Sequence, residues 1–198
     1  MGGGPNEARS SGPAEALLAA YAAGTLSEPF AALVAAHLQM KAIGEALRAY
    51  GEQVPDREPW PRDRVVGVEE ISTFMPLALR YFVSCHLDIF EWRTFLPGIR
   101  RCPVTCNARG EASFLRCRPG SAIPSHTHHG REAVLVLQGG FSDEGGHYGL
   151  GDIAVSDGSI DHRPVADHTI ECIIFIALEA PVQLTGRFGS FIQSLFGS

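Results

Sequence analysis

Three residues of types that bind metal ions stand close together in the middle of the chain. His126, His128 and Glu132 fall within residues 120–139, just before an apolar run that ends in a Gly-Gly turn. Residues two apart in an extended strand point to one face, so the imidazoles of His126 and His128 should face the same side. Glu132 follows a break at Gly130 and opens the next strand, which lets it return to that side. Two neutral imidazoles and a carboxylate suit zinc, iron, manganese or nickel better than calcium.

Composition narrows the classes of protein that the chain can be. It has 198 residues, of which 45% are apolar, and a net charge of −6. This suits one large globular domain, or a moderate domain with a small companion. The negative charge argues against direct nucleic-acid binding, because phosphate-binding surfaces carry a basic excess.

The cysteines and the hydropathy pattern indicate a cellular compartment. Five scattered cysteines, an odd number, favour a reducing cytoplasm over a disulfide scaffold. The N-terminus has no signal-peptide pattern, and no apolar run is long enough to cross a bilayer. We therefore expect a cytoplasmic protein that does not enter the membrane.

Two helices are predicted within residues 13–50. Gly24 should end the first helix, and Ser27 should cap the second, where Pro29 is tolerated in the first turn. Apolar residues recur there at helical spacing. The candidates for contact with a partner are Leu17, Leu18, Tyr21, Phe30, Leu33, Val34 and His37. Two helices of this length cannot bury both apolar faces against each other, so they pack on the larger domain, self-associate or bind a partner protein.

The remaining segments differ in composition. Residues 1–12 are rich in glycine and polar side chains and are predicted to be disordered. Residues 51–64 contain three prolines among charges, which predicts a linker. Residues 65–198 form the second domain. In it, short strand-like segments follow one another after Asn107 with glycine or aspartate turns between them, as in a β-sandwich or barrel.

The histidine-rich stretch resembles the first cupin motif, G-x5-H-x-H-x3-E-x6-G, at every fixed position. The second cupin motif, G-x5-P-x-G-x2-H-x3-N, is matched in part from Gly151 onwards. Asp157, Ser159 and Ala166 replace its proline, glycine and asparagine, whereas His162 occupies its histidine position. The resemblance implies a mostly β fold, the cupin double-stranded β-helix or jelly-roll barrel, preceded by a small α-helical domain.

The cupin resemblance also implies a metal centre. One divalent ion would be held by His126, His128, Glu132 and His162. Such a set leaves one or two coordination positions open for water or an oxygen-bearing ligand. Zinc is our first choice of metal, with iron, manganese and nickel as alternatives.

The helical segment extends the resemblance to nearly the whole chain. Residues 17–30 and the following His37-Leu38 are similar to the N-terminal helices of ChrR-type anti-sigma factors, with further similarity at 91–94, 135–144 and 151–153. These are two-domain bacterial regulators with a zinc-bound helical anti-sigma domain and a C-terminal cupin. The resemblance implies an ECF-type sigma factor as partner, released in response to singlet oxygen or organic peroxide.

The helical domain departs from this family at its zinc site. The family binds that zinc with a histidine before the first helix, a histidine at the end of the second, and a Cys-x-x-Cys just after it. Here only His37 remains, because Lys41 and Gly44 occupy the cysteine positions and the first histidine position falls near Gly12. A structural zinc needs about four ligands. We therefore expect no metal in the N-terminal domain.

Three functions are compatible with these residues. The first is a regulator in which the helices bind a sigma factor and the cupin, sensing an oxidant or small ligand, controls its release. Oxidation of a ligand histidine, or of a nearby cysteine such as Cys117 or Cys172, would serve this purpose. The second is a dioxygenase-like iron enzyme acting on a small molecule, and the third is a binding module that forms a homodimer through its helices. We prefer the regulator and assign no catalytic residue, because no separate general acid or base stands near the motif.

Overall fold

The structure, a computed structural model, describes residues 11–52, 75–86, 91–107, 110–128, 130–180 and 182–184. Residues 1–10 of the predicted tail and residues 53–64 of the predicted linker lie outside these ranges. The described ends of both segments are helical, because the first helix begins at Ser11 and the second extends to Glu52. The described chain forms three helices, α1 (Ser11–Ala22), α2 (Glu28–Glu52) and α3 (Leu77–His86). Among the described residues, no helix is both long and apolar enough to span a membrane.

The strands follow the helices in the chain. They are β1 (Arg93–Leu96), β2 (Ile99–Asn107), β3 (Gly110–Cys117), β4 (His126–His128), β5 (Glu132–Gln138), β6 (Gly140–Asp143), β7 (Gly146–Gly149), β8 (Ile153–Ser156), β9 (Val165–Ala166), β10 (Cys172–Leu178) and β11 (Val182–Leu184).

Local sequence signals set the helix ends. Gly24 follows α1 with φ at 67°, a left-handed conformation that glycine adopts without steric cost. The Ala31 amide donates to the Ser27 carbonyl at 2.9 Å, as expected where Ser27 precedes the first turn of α2. Gly44 does not interrupt α2, which continues to Glu52. Helix α3 was not predicted, because it is short and directly follows Pro76.

The strands form antiparallel sheets around a single interior. A six-stranded sheet has the order β1-β2-β3-β10-β5-β8, and the smaller sheets have the orders β7-β6-β9 and β11-β4. Apolar residues of the interior include Leu115, Val134, Val136, Phe141 and Ile174. This confirms the predicted fold class, a mostly β barrel preceded by a small helical part.

Strand β10 lies at the centre of the large sheet and is buried along its whole length. Ile174 and Ile176 belong to the interior cluster, whereas Ile173 and Phe175 belong to a second cluster on the outer face of the sheet. A strand that is apolar on both faces needs a layer on each side. The helices supply the outer layer.

The helices pack on the outer face through their apolar residues. Leu17, Phe30, Leu33 and Val34 are each no more than 1% exposed, in one cluster with strand residues that include Phe175. The Phe82 ring of α3 lies edge-on to that of Phe175, with 5.9 Å between their centroids. Packing on the larger domain is therefore the arrangement that the described residues adopt.

This packing predicts unequal effects of two truncations on α2. We expect Phe30→Ala to lower the free energy of unfolding by about 3 to 5 kcal/mol, because it empties a filled site between helix and sheet. Leu38→Ala is the matched control, since Leu38 is 44% exposed on the same helix; its effect should stay below about 1 kcal/mol. Urea denaturation of both variants measures the difference, and equal effects would contradict the packing of α2 on the sheet.

Candidate metal centre

The four predicted ligand side chains lie together inside the barrel. His126 and His128 are the end residues of β4, Glu132 opens β5, and His162 precedes β9. Each is buried, with no more than 4% of its surface exposed. Each residue offers one ligand atom, and these four atoms lie within 4.8 Å of one another.

Backbone pairing brings the two sequence segments into contact. His126 and His162 donate to each other's carbonyl oxygens, with both N–O distances at 3.1 Å. Their ring centroids are 4.4 Å apart as a result. The turn before His162 lacks the proline and glycine of the cupin motif. Instead, the Asp157 carboxylate accepts hydrogen bonds from the Ser159 amide at 2.9 Å and from its hydroxyl at 2.6 Å, which closes the turn.

The spacing of the donor atoms suits one ion. Glu132 Oε2 lies 3.0 Å from His128 Nε2 and 3.5 Å from His162 Nε2, and the two Nε2 atoms are 3.2 Å apart. Two ligand atoms that each lie about 2.05 Å from one metal ion are about 2.9 to 3.4 Å apart when the angle between their bonds is about 90 to 110°. Three imidazoles and a carboxylate are also a donor set for zinc and its first-row neighbours. The residues therefore fit a divalent metal ion.

Contacts behind the ligands orient two of the three imidazoles. His126 Nδ1–H donates to the Pro124 carbonyl at 2.8 Å, and His162 Nδ1–H donates to Asp143 Oδ2 at 3.1 Å. Because these acceptors require the proton on Nδ1, the Nε2 lone pairs are directed to the centre. Asp143 is itself held in place, since its Oδ1 accepts from the Gly145 amide at 2.8 Å.

Asp143 is a residue that the sequence analysis missed. The alternation of inward and outward side chains along β6 could have indicated its position. Phe141 and Asp143 are two residues apart, so the inward direction of the buried Phe141 predicts an inward carboxylate. The cupin motifs contain no position for such a residue, and the strand is only four residues long.

The electrostatics of the site favour a bound cation. Burial lowers the pKa of His126. Burial alone would raise the pKa of Glu132, but the adjoining imidazoles of His128 and His162 hold it well below its usual range. Burial would likewise lower the pKa of His162, yet the neighbouring carboxylates of Asp143 and Glu132 raise it to about 9. Two carboxylates in a buried site therefore stabilise positive charge at the centre.

A small cavity adjoins the ligands. Its volume is about 20 Å³, which is room for about one water molecule. His126, Glu132, Asp143 and His162 contribute to its lining, and the remaining lining is apolar, with Val134, Phe141 and Ile174 among its residues. Pockets for organic ligands are usually about 300 Å³ or larger. The cavity therefore has room for a water-sized ligand.

The two cysteines considered as oxidation sites are poorly suited to that role. Cys117 and Cys172 face each other across β3 and β10, and both are buried. Burial raises the pKa of the Cys117 thiol to about 12 and raises the pKa of Cys172 as well. Oxidants attack the thiolate, so at neutral pH these thiols react slowly.

The predicted partner-binding residues lie on the barrel side of the helices. Besides the four buried residues described above, Leu18 and Tyr21 are partly buried against the same cluster. His37 Nδ1 lies 2.7 Å from the Gly151 carbonyl oxygen and donates to it. In this arrangement the seven side chains make contacts within the chain, so their role in binding a partner stays a prediction.

The role of Asp143 generates a prediction about metal affinity. Asp143→Asn should weaken metal binding about 10- to 100-fold, because an amide orients and polarises His162 less well than a carboxylate. Competition with a chromophoric chelator measures the affinity. The control is Glu144→Gln, since the neighbouring Glu144 carboxylate accepts from the Arg163 amide and should leave the affinity unchanged. Equal affinities for Asp143→Asn and the wild type would contradict the orienting role.

Comparisons with known proteins agree with this architecture. Residues 82–181 match the family described as the ChrR cupin-like domain. The anti-sigma-E factor ChrR of Cereibacter sphaeroides is 35% identical over 205 residues, which cover 91% of this chain and 93% of that protein.

Solved structures show the same relationship. The crystal structure of Rhodobacter sphaeroides SigE in complex with the anti-sigma ChrR matches with a TM-score of 0.60 and 35% identity, over 83% of this chain and 96% of that one. An acetylacetone dioxygenase from Acinetobacter johnsonii, at a TM-score of 0.46 and 15% identity over 56% of this chain and 90% of that one, is too distant to bear on function. On the extent of its similarity to ChrR, the chain belongs to the ChrR family of anti-sigma factors.

Proposed function

We propose that the protein is an anti-sigma factor whose helical segment binds an ECF-type sigma factor and whose cupin metal centre controls release. The observation that carries this proposal is the similarity to ChrR, which includes both the helices and the barrel at 35% identity over 91% of the chain. A related ChrR has been crystallised with SigE. The protein would act in the cytoplasm, where sigma factors meet RNA polymerase.

Zinc is the proposed metal, held by His126, His128, Glu132 and His162. When bound, it would supply a Lewis-acidic centre with a coordination position open to a small ligand. Iron, manganese and nickel suit the same donors, and elemental analysis of the purified protein distinguishes them. The Asp143 carboxylate supports any of these choices by holding His162 in the binding orientation.

The size of the cavity favours a small oxidant as the signal. A molecule that enters it meets the imidazoles of His126 and His162 and the Glu132 carboxylate. Modification or displacement of one of these side chains alters the position of β4 or β5. This route does not require Cys117 or Cys172, whose protonated thiols are buried in the sheet.

The alternative functions receive less support. An enzyme acting on an organic molecule needs a larger pocket than a cavity of about 20 Å³. As a partner for the apolar helix faces, a sigma factor is favoured over a second copy of the chain, because the related ChrR was crystallised with SigE. We therefore retain the regulator as the proposed function.

The test is co-expression with the ECF sigma factor encoded beside this protein, followed by co-purification. His126→Ala and Glu132→Gln should co-purify with the sigma factor as the wild type does. Both should lose release by oxidant, because loss of a ligand should lower metal affinity by more than the roughly 10- to 100-fold that loss of an outer-shell partner costs. A sigma-dependent reporter, measured with and without oxidant, reads this out.

The control for the release experiment is His147→Ala. His147 is an exposed histidine paired with Asp167, and its loss should leave oxidant-induced release intact. Normal release in the ligand variants would contradict sensing at the metal centre. Absence of co-purification with the wild-type protein would contradict the anti-sigma function itself.

A further inference from the structure

We propose that the outer face of the cupin sheet is an interaction surface for the protein's own helices, and that it competes with the sigma factor for them. The inference rests on the proposed function, because it takes the sigma factor as the competing partner. The docked arrangement of the structure is then the state in which the sigma factor has been released.

The apolar part of the docking surface leaves no room for a partner. Phe30, Leu33 and Val34 of α2 are no more than 1% exposed. They share a cluster with outward-facing residues of the sheet, including Leu135 and Phe175. A partner can reach these three side chains only after α2 has left the sheet.

Polar contacts fix the position of α2 along the barrel. The His37 ring donates to the Gly151 carbonyl at 2.7 Å, and one helical turn further Lys41 Nζ lies 3.0 Å from Asp152 Oδ1. Met40 lies against Gly151, where an added Cβ would be 3.6 Å from the Met40 Cβ. These contacts join α2 to the turn between β7 and β8. They fix one position of α2 along the barrel, which apolar contacts alone would not do.

The docking contacts lie close to one ligand of the metal centre. Arg131 precedes Glu132 and places its guanidinium 5.6 Å from the centroid of the Phe30 ring, while pairing with Glu179 at 2.7 Å. Ser156, at the end of β8, lies 3.4 Å from Glu132 Oε2. The start of β8 follows the turn that binds His37 and Lys41.

Glu132 is thus connected to α2 through both β5 and β8. A shift of its carboxylate on the inner side moves Arg131 or Ser156, and with them the surface on which α2 docks. Oxidant arrival would favour the docked state in this way. The sigma factor would be displaced because its binding surface becomes covered.

A reversible staple tests this competition in the full chain. We would introduce Met40→Cys with Gly151→Cys, because a Cβ–Cβ distance of 3.6 Å lies within the disulfide range of about 3.5 to 4.5 Å. The exposed Cys85 and Cys106 are replaced by serine to prevent mispairing. The oxidised protein should bind the sigma factor at least about 100-fold more weakly, and reduction should restore the affinity.

Single variants control for side effects of the staple. Gly151 has φ at 81°, so Gly151→Cys strains the turn and is tested alone, as is Met40→Cys. Glutathione disulfide is the thiol oxidant for every variant and for the wild type, because a peroxide or singlet oxygen would itself trigger release. Neither single variant should lose sigma binding. Equal affinity of the stapled and reduced forms, with the disulfide verified by mass, overturns the competition but leaves the anti-sigma function standing. No binding by any form, including the wild type, overturns both.

A second variant should act in the opposite direction. Asp152→Asn removes the charge that faces Lys41 but keeps an oxygen to accept the Gly149 amide. Docking should weaken, and sigma affinity should rise about two- to fivefold, the scale of one exposed ion pair. An unchanged or lower affinity argues against competition, because a purely structural contact would not restrain sigma binding.

Discussion

The burial of β10 on both faces is the constraint on which the rest of the structure depends. This strand pairs with β3 on one side and β5 on the other. Its inward residues close the interior that holds the ligand side chains, and its outward Ile173 and Phe175 need a cover. Removal of the helices from the sheet exposes that apolar surface to water at a cost of about 25 cal/mol per Å². The helical segment is therefore part of the barrel's own stability.

The same sheet separates the metal centre from the helical surface by one layer of backbone. Along β5, Glu132 and Val134 face the interior, whereas Ala133 and Leu135 belong to the outer cluster. Alternation of side chains across a strand makes this possible. A change at the metal centre can therefore reach the helical surface directly, because both include residues of β5.

Much of this arrangement follows from the sequence. The cupin spacing predicted His126, His128 and Glu132, and His162 meets them although Asp157 and Ser159 replace the motif's proline and glycine. Asp157 closes that turn by accepting hydrogen bonds from Ser159. A sequence motif lists residue types and does not record that different residues can form the same turn. The helix ends at Gly24 and Ser27 were also predictable from local chemistry.

Other features depend on contacts between segments that are distant in the chain, and the spacing of residues in the sequence does not predict such contacts. Helix α3 is stabilised by packing on α2 and the sheet and has only ten residues of its own. The sequence left open whether the apolar helix faces meet the barrel, a second copy or a partner. His37 was expected to contact a partner, and its bond to Gly151 depends on a turn more than a hundred residues away.

Hydrogen exchange of α2 in metal-loaded and metal-stripped protein tests the central claim most directly, namely that the inner site and the outer helices are coupled through the sheet. The account predicts that removal of the metal changes the exchange rates of the α2 amides around His37 by at least about tenfold, together with those of β5 and β8. Exchange rates in α2 that are identical in the two forms, while those of β4 and β5 change, would contradict it.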